Sequence, residues 1–480
     1  MQKYFENPLA LAFFVFLVSL PFGTKKFLFE VPTNLPRFQE FSAVFLFLTD
    51  MTAVLFLFLF LFSKNIWEDA GTVFAKNKKA QTLLFLFFCF VLVTVWYTPL
   101  SFPGLFLYAR LFLAVAAGVA AMTLLFKKII SFASVATAIA GTAVLEGLVG
   151  IFQSIFQKSV GLWFLGESVI TGATKNVGRA LVDGGFLLRS YGTFPHANIY
   201  AAFLVLGLAA LYYLFLSEAT KKFSVRRIAI GAGILIVSTG LLFSFSRSGW
   251  IGAGIMTFFV VLLGLWIREM RFPVLLLFAR IVAIAVFLLA AFGHLVLPRA
   301  AIPIQTDPSF QYRVLYNTIG IRTIVERPSG VGLGNQVAYG VGRGFYQDEG
   351  ITEKEFWNWQ PVHNLFILIA TEAGFPALAV FLIFLAYLGV AGWITLRQTK
   401  GMFPVEIVVM FSLFISFLVM AMADHYFWDL QAGRLMFWLL LGIMMGLSPR
   451  RSMDRISPSE GGDGRSNRPE GTSIKEHEES

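Results

Sequence analysis

A hydrocarbon core of about 30 Å takes ~20 apolar residues per helix, and about twelve runs of roughly that length follow one another along the 480 residues of this chain. They extend over Pro8 to Phe22, Phe41 to Phe62, Gln81 to Thr98, Gly104 to Phe126, Ile129 to Phe156, Ala197 to Leu216, Ile228 to Phe245, Trp250 to Ile267, Phe272 to Leu297, Asn364 to Trp393, Pro404 to Ala423 and Leu430 to Leu447. Backbone in lipid must satisfy its own hydrogen bonds, so only helices or a closed barrel can span. Unbroken runs of this length predict helices. The expected fold is therefore all-α, a polytopic membrane protein with about 12 transmembrane helices. Composition agrees, at 57% hydrophobic and 14% charged, against about 25% charged in an ordinary globular domain. A soluble enzyme, a disulfide scaffold and a disordered chain are excluded as the main body. The single Cys89, inside LFLFFCFVLV, permits no intrachain disulfide and is expected to be a buried small hydrophobe. The first run follows Lys3 as a signal peptide would, but no small-x-small cleavage site follows it, so it is expected to remain as a helix.

The net charge of +10 has to be located before it can be interpreted. Counting spans alternately from a cytoplasmic N-terminus puts Lys64, Lys76, Lys78, Lys79, Lys127, Lys128, Lys221, Lys222, Arg226, Arg227, Arg268, Arg271, Arg397, Lys400, Arg450 and Arg451 on the inside. The short outside loops keep little beyond Lys25, Lys26, Arg37 and Arg247. This is the positive-inside pattern, so the basic charge reads as topology and no nucleic-acid partner is expected. Both termini are expected in the cytoplasm. Two long segments, about 157–196 and 298–363, fall outside; loops of that length are usually functional. Residues 1–448 form the expected transmembrane domain. The Ser-, Gly-, Glu- and Arg-rich tail 449–480 buries too little apolar area to fold and is expected to be disordered.

Ionisable residues inside spans cost several kcal/mol each and mark functional sites by default. At ~1.5 Å per residue, Asp50, Arg110, Glu146 and Glu372 lie roughly 10–13 Å below the outer interface, beneath the long loops. Asp50 and Arg110 are expected to support the site, either as an ion pair that fixes packing or as part of a polar cavity. Four patches face outward. LLRSYGTFPHANIYAAF sets Arg189 before a helix start, where free N–H groups and the helix dipole favour an anion. FSFSRSGWIGAG puts Arg247 at a tight outer turn, FQYRVLYNTIGIRTIVERPSGVGLGN carries Arg313 and Arg322 ahead of a glycine-rich turn, and PVHNLFILIATEAGFPAL places His363 and Asn364 at a helix mouth. Arginine stays charged and matches phosphate oxygens with a planar fork, so two or three outward-facing arginines over a membrane cavity suit a diphosphate. At a helix N-terminus His363 is held neutral and can serve as a general base, with Asn364 as the helix cap. No HExxH, Cys/His or P-loop spacing is present, so neither a metal nor another cofactor is expected.

RSYGTFPHANIYAAF, FSFSRSGWIGAG, RPSGVGLGN and HNLFILIATEAG, in that order and separated by spans, resemble the bacterial O-antigen ligase and O-antigen polymerase superfamily. The most specific piece is His363-Asn364, nine residues, then Gly374; where a further small-residue pair commonly follows, this chain has Phe375, Pro376 and Ala377. The resemblance implies a metal-independent, inverting glycosyltransferase of the bacterial cytoplasmic (inner) membrane, with its active site facing the periplasm. It implies a donor glycan on undecaprenyl diphosphate and an acceptor hydroxyl on a glycan or the lipid A core, in lipopolysaccharide or related surface-polysaccharide assembly. It assigns Arg189, Arg247 and Arg313 to the diphosphate and His363, with Arg247, to catalysis. A repeat-unit polymerase and a protein O-oligosaccharyltransferase share the superfamily and differ in acceptor. A transporter of an anionic lipid or glycan is the alternative from another class, but no internal repeat of the transporter kind is visible.

Overall fold

The computed structural model describes residues 4, 6–31, 43–63, 66, 77–96, 98, 101–172, 174, 177–182, 185–218, 224–352, 357–399, 402 and 404–446. In chain order the elements are α1 (Pro8–Ser19), β1 (Lys25–Glu30), β2 (Ala43–Phe47), α2 (Leu48–Phe62), α3 (Lys78–Trp96), α4 (Ser101–Phe126), α5 (Phe132–Phe156), β3 (Arg179–Val182) and β4 (Gly185–Leu188). They continue as α6 (Ala197–Ser217), α7 (Val225–Phe243), α8 (Arg247–Trp266), α9 (Arg271–Ala301), α10 (Pro308–Glu326), α11 (Gln336–Gly342), α12 (Phe345–Asp348), α13 (Leu365–Gln398), α14 (Val405–Ala421) and α15 (Gln431–Gly446).

Each of the twelve apolar runs overlaps one of these helices. Eight, α3 to α9 and α13, are long and apolar enough to cross a membrane, while α1, α2, α14 and α15 are shorter apolar helices. The chain is an all-α, multi-pass membrane protein, with two small two-stranded sheets among the described residues. One sheet corrects the second run, which was expected to be helical from Phe41. Its segment Ala43–Phe47 pairs antiparallel with Lys25–Glu30 instead. The helix begins only at Leu48, where the Asp50 carboxylate accepts the Phe47 N–H at 3.0 Å. The other sheet, β3 with β4, lies within the first long segment, and α10 to α12 lie within the second. Cys89, expected to be buried, is half-buried. The tail 449–480 lies outside the described residues.

Helix α6 is the axis of the bundle. Its sequence, ANIYAAFLVLGLAALYYLFLS, has no charged residue, and a helix apolar all round belongs in the interior; every residue from Ala197 to Leu216 is buried. Helices α5, α7, α8 and α14 pack around it. Elsewhere α4 and α15 cross with their backbones in contact. A Cβ on Gly118 would lie 2.4 Å from the Trp438 carbonyl oxygen, and one on Gly442 2.4 Å from that of Gly118, the small-residue packing of helices in lipid.

Helix α13 is broken. Gly374 has φ 80° and ψ 168° within it, followed by Pro376. The carbonyls freed by this kink are taken by the glycine-rich turn after α10: Val331 N–H donates to Thr371 O at 2.8 Å and Gly332 N–H to Glu372 O at 2.9 Å. The turn also accepts in return, since Phe375 N–H donates to Pro328 O at 3.1 Å. Gly330 (φ +90°) and Gly374 face each other so closely that a Cβ on either would overlap backbone. Gly330, Gly332 and Gly374 therefore serve a helix break.

Candidate functional site

Five connections meet at the end of the bundle where α6 begins: the segment before α6, the α7–α8 turn, the α9–α10 connection, the residues before α13 and the α14–α15 turn. The first is anchored on α5. Thr193 donates its N–H and hydroxyl to Glu146 at 2.9 and 2.7 Å, and Gln153 Oε1 accepts the N–H groups of Tyr191 and Gly192, each at 2.9 Å. This fixes Arg189 at the mouth of α6. Its Nε donates to Ser244 O at 2.7 Å and its Nη2 to Asn198 Oδ1 at 2.6 Å. Asn198 passes the connection on, donating from Nδ2 to Asp424 Oδ2 at 2.6 Å while accepting the Ser246 hydroxyl at 3.0 Å. Between Ser244 and Ser246 the backbone is held at φ 47° by Phe245, an uncommon conformation for a bulky residue. The fully buried Phe245 ring packs beside Ala180 and Val182 of the β3–β4 hairpin.

Arg247 opens α8. It does not snorkel freely, because its Nη1 pairs with Asp307 Oδ2 at 2.8 Å and its Nη2 donates to the carbonyls of Arg299 and Ile302 at 2.7 and 3.0 Å. Arg299 pairs with the same Asp307 oxygen, also at 2.8 Å. Asp307 Oδ1 meanwhile caps α10 by accepting Ser309 N–H at 2.9 Å. Six residues later in that helix, Arg313 donates from Nε to Ala423 O at 2.9 Å and from Nη1 to the Ser309 hydroxyl at 2.6 Å, and its Nη2 lies 3.7 Å from Asp424. Arg322, two turns further on, leaves the cluster and pairs with exposed Asp348 at 2.7 Å.

His363 stands just before α13, and Asn364 caps that helix by accepting the N–H groups of Phe366 and Ile367 at 3.0 and 3.1 Å. Asn364 Nδ2 also holds the Met422 carbonyl at 3.0 Å, which ties the cap to the α14–α15 turn. The His363 ring stacks on Tyr316, with centroids 5.0 Å apart, and meets the edge of His425 at 4.6 Å. Its Nδ1 lies 2.8 Å from the Pro361 carbonyl. A carbonyl only accepts, so Nδ1 carries the proton and Nε2 keeps the lone pair. Burial and then the charge of His425 push the His363 imidazole down to about 3, against the opposing pull of Asp424. It is neutral at physiological pH.

The α14–α15 turn, Asp424-His425-Tyr426-Phe427-Trp428-Asp429, supplies what the sequence reading did not single out. Burial favours a neutral His425, but Asp429, whose carboxylate oxygens lie 2.7 and 2.8 Å from Nδ1, overcomes it and raises the imidazole to about 9. Burial likewise favours a neutral Asp424, yet the charges of His425 and Arg313 hold it below the usual carboxylate range. Among the described residues, His363, Asp424 and His425 are the group that brings ligand atoms close enough for a metal ion, all within 4.8 Å of one another.

Asp50 and Arg110 form an ion pair at 2.5 Å, and Gln431 Nε2 donates to Asp50 at 2.6 Å. Arg434 links Gln431 at 3.2 Å to the carbonyls of Trp428 and Asp429 at 2.7 and 3.1 Å. The pair therefore braces the turn that carries Asp424 and His425 and does not enter the cluster itself. Trp428 Nε1 donates to Glu372 at 2.7 Å, just before the kink of α13. Asn198, Arg299, Asp307, Asp424, His425 and Asp429 were missed from the sequence. Three ionisable groups in the short turn between the last two apolar runs were the one signal that marked half of them.

Residues 232–382 match the family model described as O-antigen ligase. The match covers Arg247, Arg299, Asp307, Arg313, His363 and the α13 kink; Arg189 and the 424–429 turn lie outside it. It supports the resemblance to the O-antigen ligase superfamily seen in the motifs. No curated protein matches the chain significantly.

Proposed function

We propose, with that family match as the premise, that the chain is an inverting, metal-independent glycosyltransferase. It takes a glycan from undecaprenyl diphosphate and joins it to an acceptor hydroxyl at the outer face of a bacterial cytoplasmic membrane, both termini being cytoplasmic. The acceptor is the lipid A core or a related surface glycan. The observation that carries the reading is a neutral histidine with a free Nε2 beside a group of guanidinium ions, all at the mouth of one buried helix.

In the reaction the acceptor oxygen attacks the anomeric carbon from the face opposite the diphosphate. The new C–O bond forms as the bond to the diphosphate oxygen breaks, and the leaving group departs with the electron pair. His363 Nε2 accepts the hydroxyl proton, and the Pro361 carbonyl steadies the imidazolium through Nδ1–H. Arg189, Arg247 and Arg313 bind the diphosphate and stabilise the charge it gains, the work a divalent cation does in other transferases. Those same guanidinium ions oppose a dication among His363, Asp424 and His425. The His425 imidazolium adds a further positive charge edge-on to His363.

The test separates donor binding from transfer. His363→Ala should keep its affinity for the lipid-linked donor while losing about 10²–10⁴ in rate; Arg313→Ala should lose donor affinity, with Arg313→Lys recovering only part because a point charge replaces the fork. Wild-type transfer by His363→Ala would remove the histidine from the mechanism.

A further inference from the structure

Arg299 has no role in the reading above, and its surroundings do not account for it. It is buried, at 9% exposure, in the last turn of α9. One nitrogen pairs with Asp307, but Nε is buried without a hydrogen-bond partner. Buried donors of this kind are rare and call for an explanation. Arg110 also has a buried, unpartnered Nε, yet its guanidinium is covered by the rings of Phe47 and Phe106 at 4.8 and 4.4 Å. Among the described residues no ring lies over Arg299. The arginine sits within electrostatic reach of Arg189, Arg247 and Arg313. These four guanidinium ions are faced by two carboxylates, Asp307 and Asp424, which leaves an excess of two positive charges. A diphosphate diester brings one negative charge on each phosphorus.

We infer that Arg299 is a fourth guanidinium of the diphosphate site, its Nε donating to a phosphate oxygen of the lipid-linked donor, and that Asp307 is a positioning residue that holds Arg247 and Arg299 side by side. This rests on the donor class proposed above. Asp307 Oδ2 accepts from both arginines while Oδ1 is fixed by the α10 cap. The two forks are thereby set before any ligand arrives, so that less ordering is left to be done on binding.

The experiment is equilibrium binding of undecaprenyl diphosphate and undecaprenyl monophosphate to the full chain in nanodiscs. Arg299→Gln should weaken diphosphate binding about tenfold, the scale of a lost hydrogen bond to a charged group, and monophosphate binding less. Arg299→Lys keeps a charge opposite Asp307 and should fold, yet still bind the diphosphate more weakly than wild type. A purely structural arginine would act through Asp307 alone, so the decisive comparison is made in an Asp307→Asn background. A further loss there on adding Arg299→Gln supports direct contact. No further loss, or wild-type affinity in Arg299→Gln and Arg299→Lys while Arg313→Ala is impaired, overturns the role of Arg299 and leaves the donor class standing. A wild-type protein that does not prefer the diphosphate to the monophosphate overturns both.

Discussion

Replacing Asp429 by Asn should change how the stability of the protein depends on pH. The groups facing the His425 ring are Asp429 and Asp424 from its own turn, Arg313 from α10 and neutral His363 from the start of α13. Burial lowers the imidazole and Arg313 opposes its charge, but the two aspartates prevail and hold it at about 9. The unfolded value is about 6.5. A group whose folded value is raised gives its full stabilisation below the unfolded value and loses it as pH rises through the folded one. Here that window runs from 6.5 to about 9. Each unit is worth 1.36 kcal/mol, so the pair contributes about 3 kcal/mol near pH 6 and none by about pH 10. In Asp429→Asn the larger raising influence is gone, Asp424 alone opposes burial and Arg313, and the His425 imidazole falls. The two proteins should therefore differ most in melting temperature near pH 6 and converge as pH rises past 9. Melts in detergent at one fixed scan rate suffice, because only the difference between proteins is needed. If the proposed chemistry uses the imidazolium, wild-type transfer should also fall across the same alkaline range. A gap in melting temperature that does not change with pH would refute the charged pair.

Two further predictions concern conditions and orientation. Transfer by purified protein should persist in excess EDTA; loss on chelation, with recovery on adding a divalent ion, would instead place a cation among His363, Asp424 and His425. With Cys89 replaced, cysteines at exposed Gly172 and Gln347 should react with an impermeant maleimide in intact cells, and labelling only after lysis would reverse the topology.

The helices were legible because their signal is one-dimensional: an apolar run of a given length predicts a span whatever its neighbours are. Position in the sequence also singled out Arg189, Arg247, Arg313 and His363 as candidates, and the structure gathers them at one end of the bundle. What was not legible depends on contacts between distant segments. Nothing near Asn198 says that it will join Arg189 to Asp424, 226 positions away from it, and Asp307 reads as an ordinary helix cap until Arg247 and Arg299 are seen to share its second oxygen. The strand Ala43–Phe47 was absorbed into its helix because a short apolar segment fits either form and only the partner strand decides.

In the second long segment Gly330 and Gly332 mark packing, and the reason bears on how the site is kept rigid. A helix broken at Gly374 leaves carbonyls that in lipid have no solvent to turn to, so a second segment must bring N–H groups close enough to meet them. Only residues without a Cβ fit at Gly330 and Gly374. The kink is thus tied to the turn after α10, and α10 carries Arg313. Glu372, two residues before the kink, accepts from Trp428, and Trp428 lies in the turn with Asp424, His425 and Asp429. His363 at the start of α13, Arg313 in α10 and the acid–histidine turn are therefore joined through backbone hydrogen bonds and one buried indole. If the cluster carries the transfer proposed above, such a frame is what holds groups from three segments within the sub-ångström tolerance that chemistry demands.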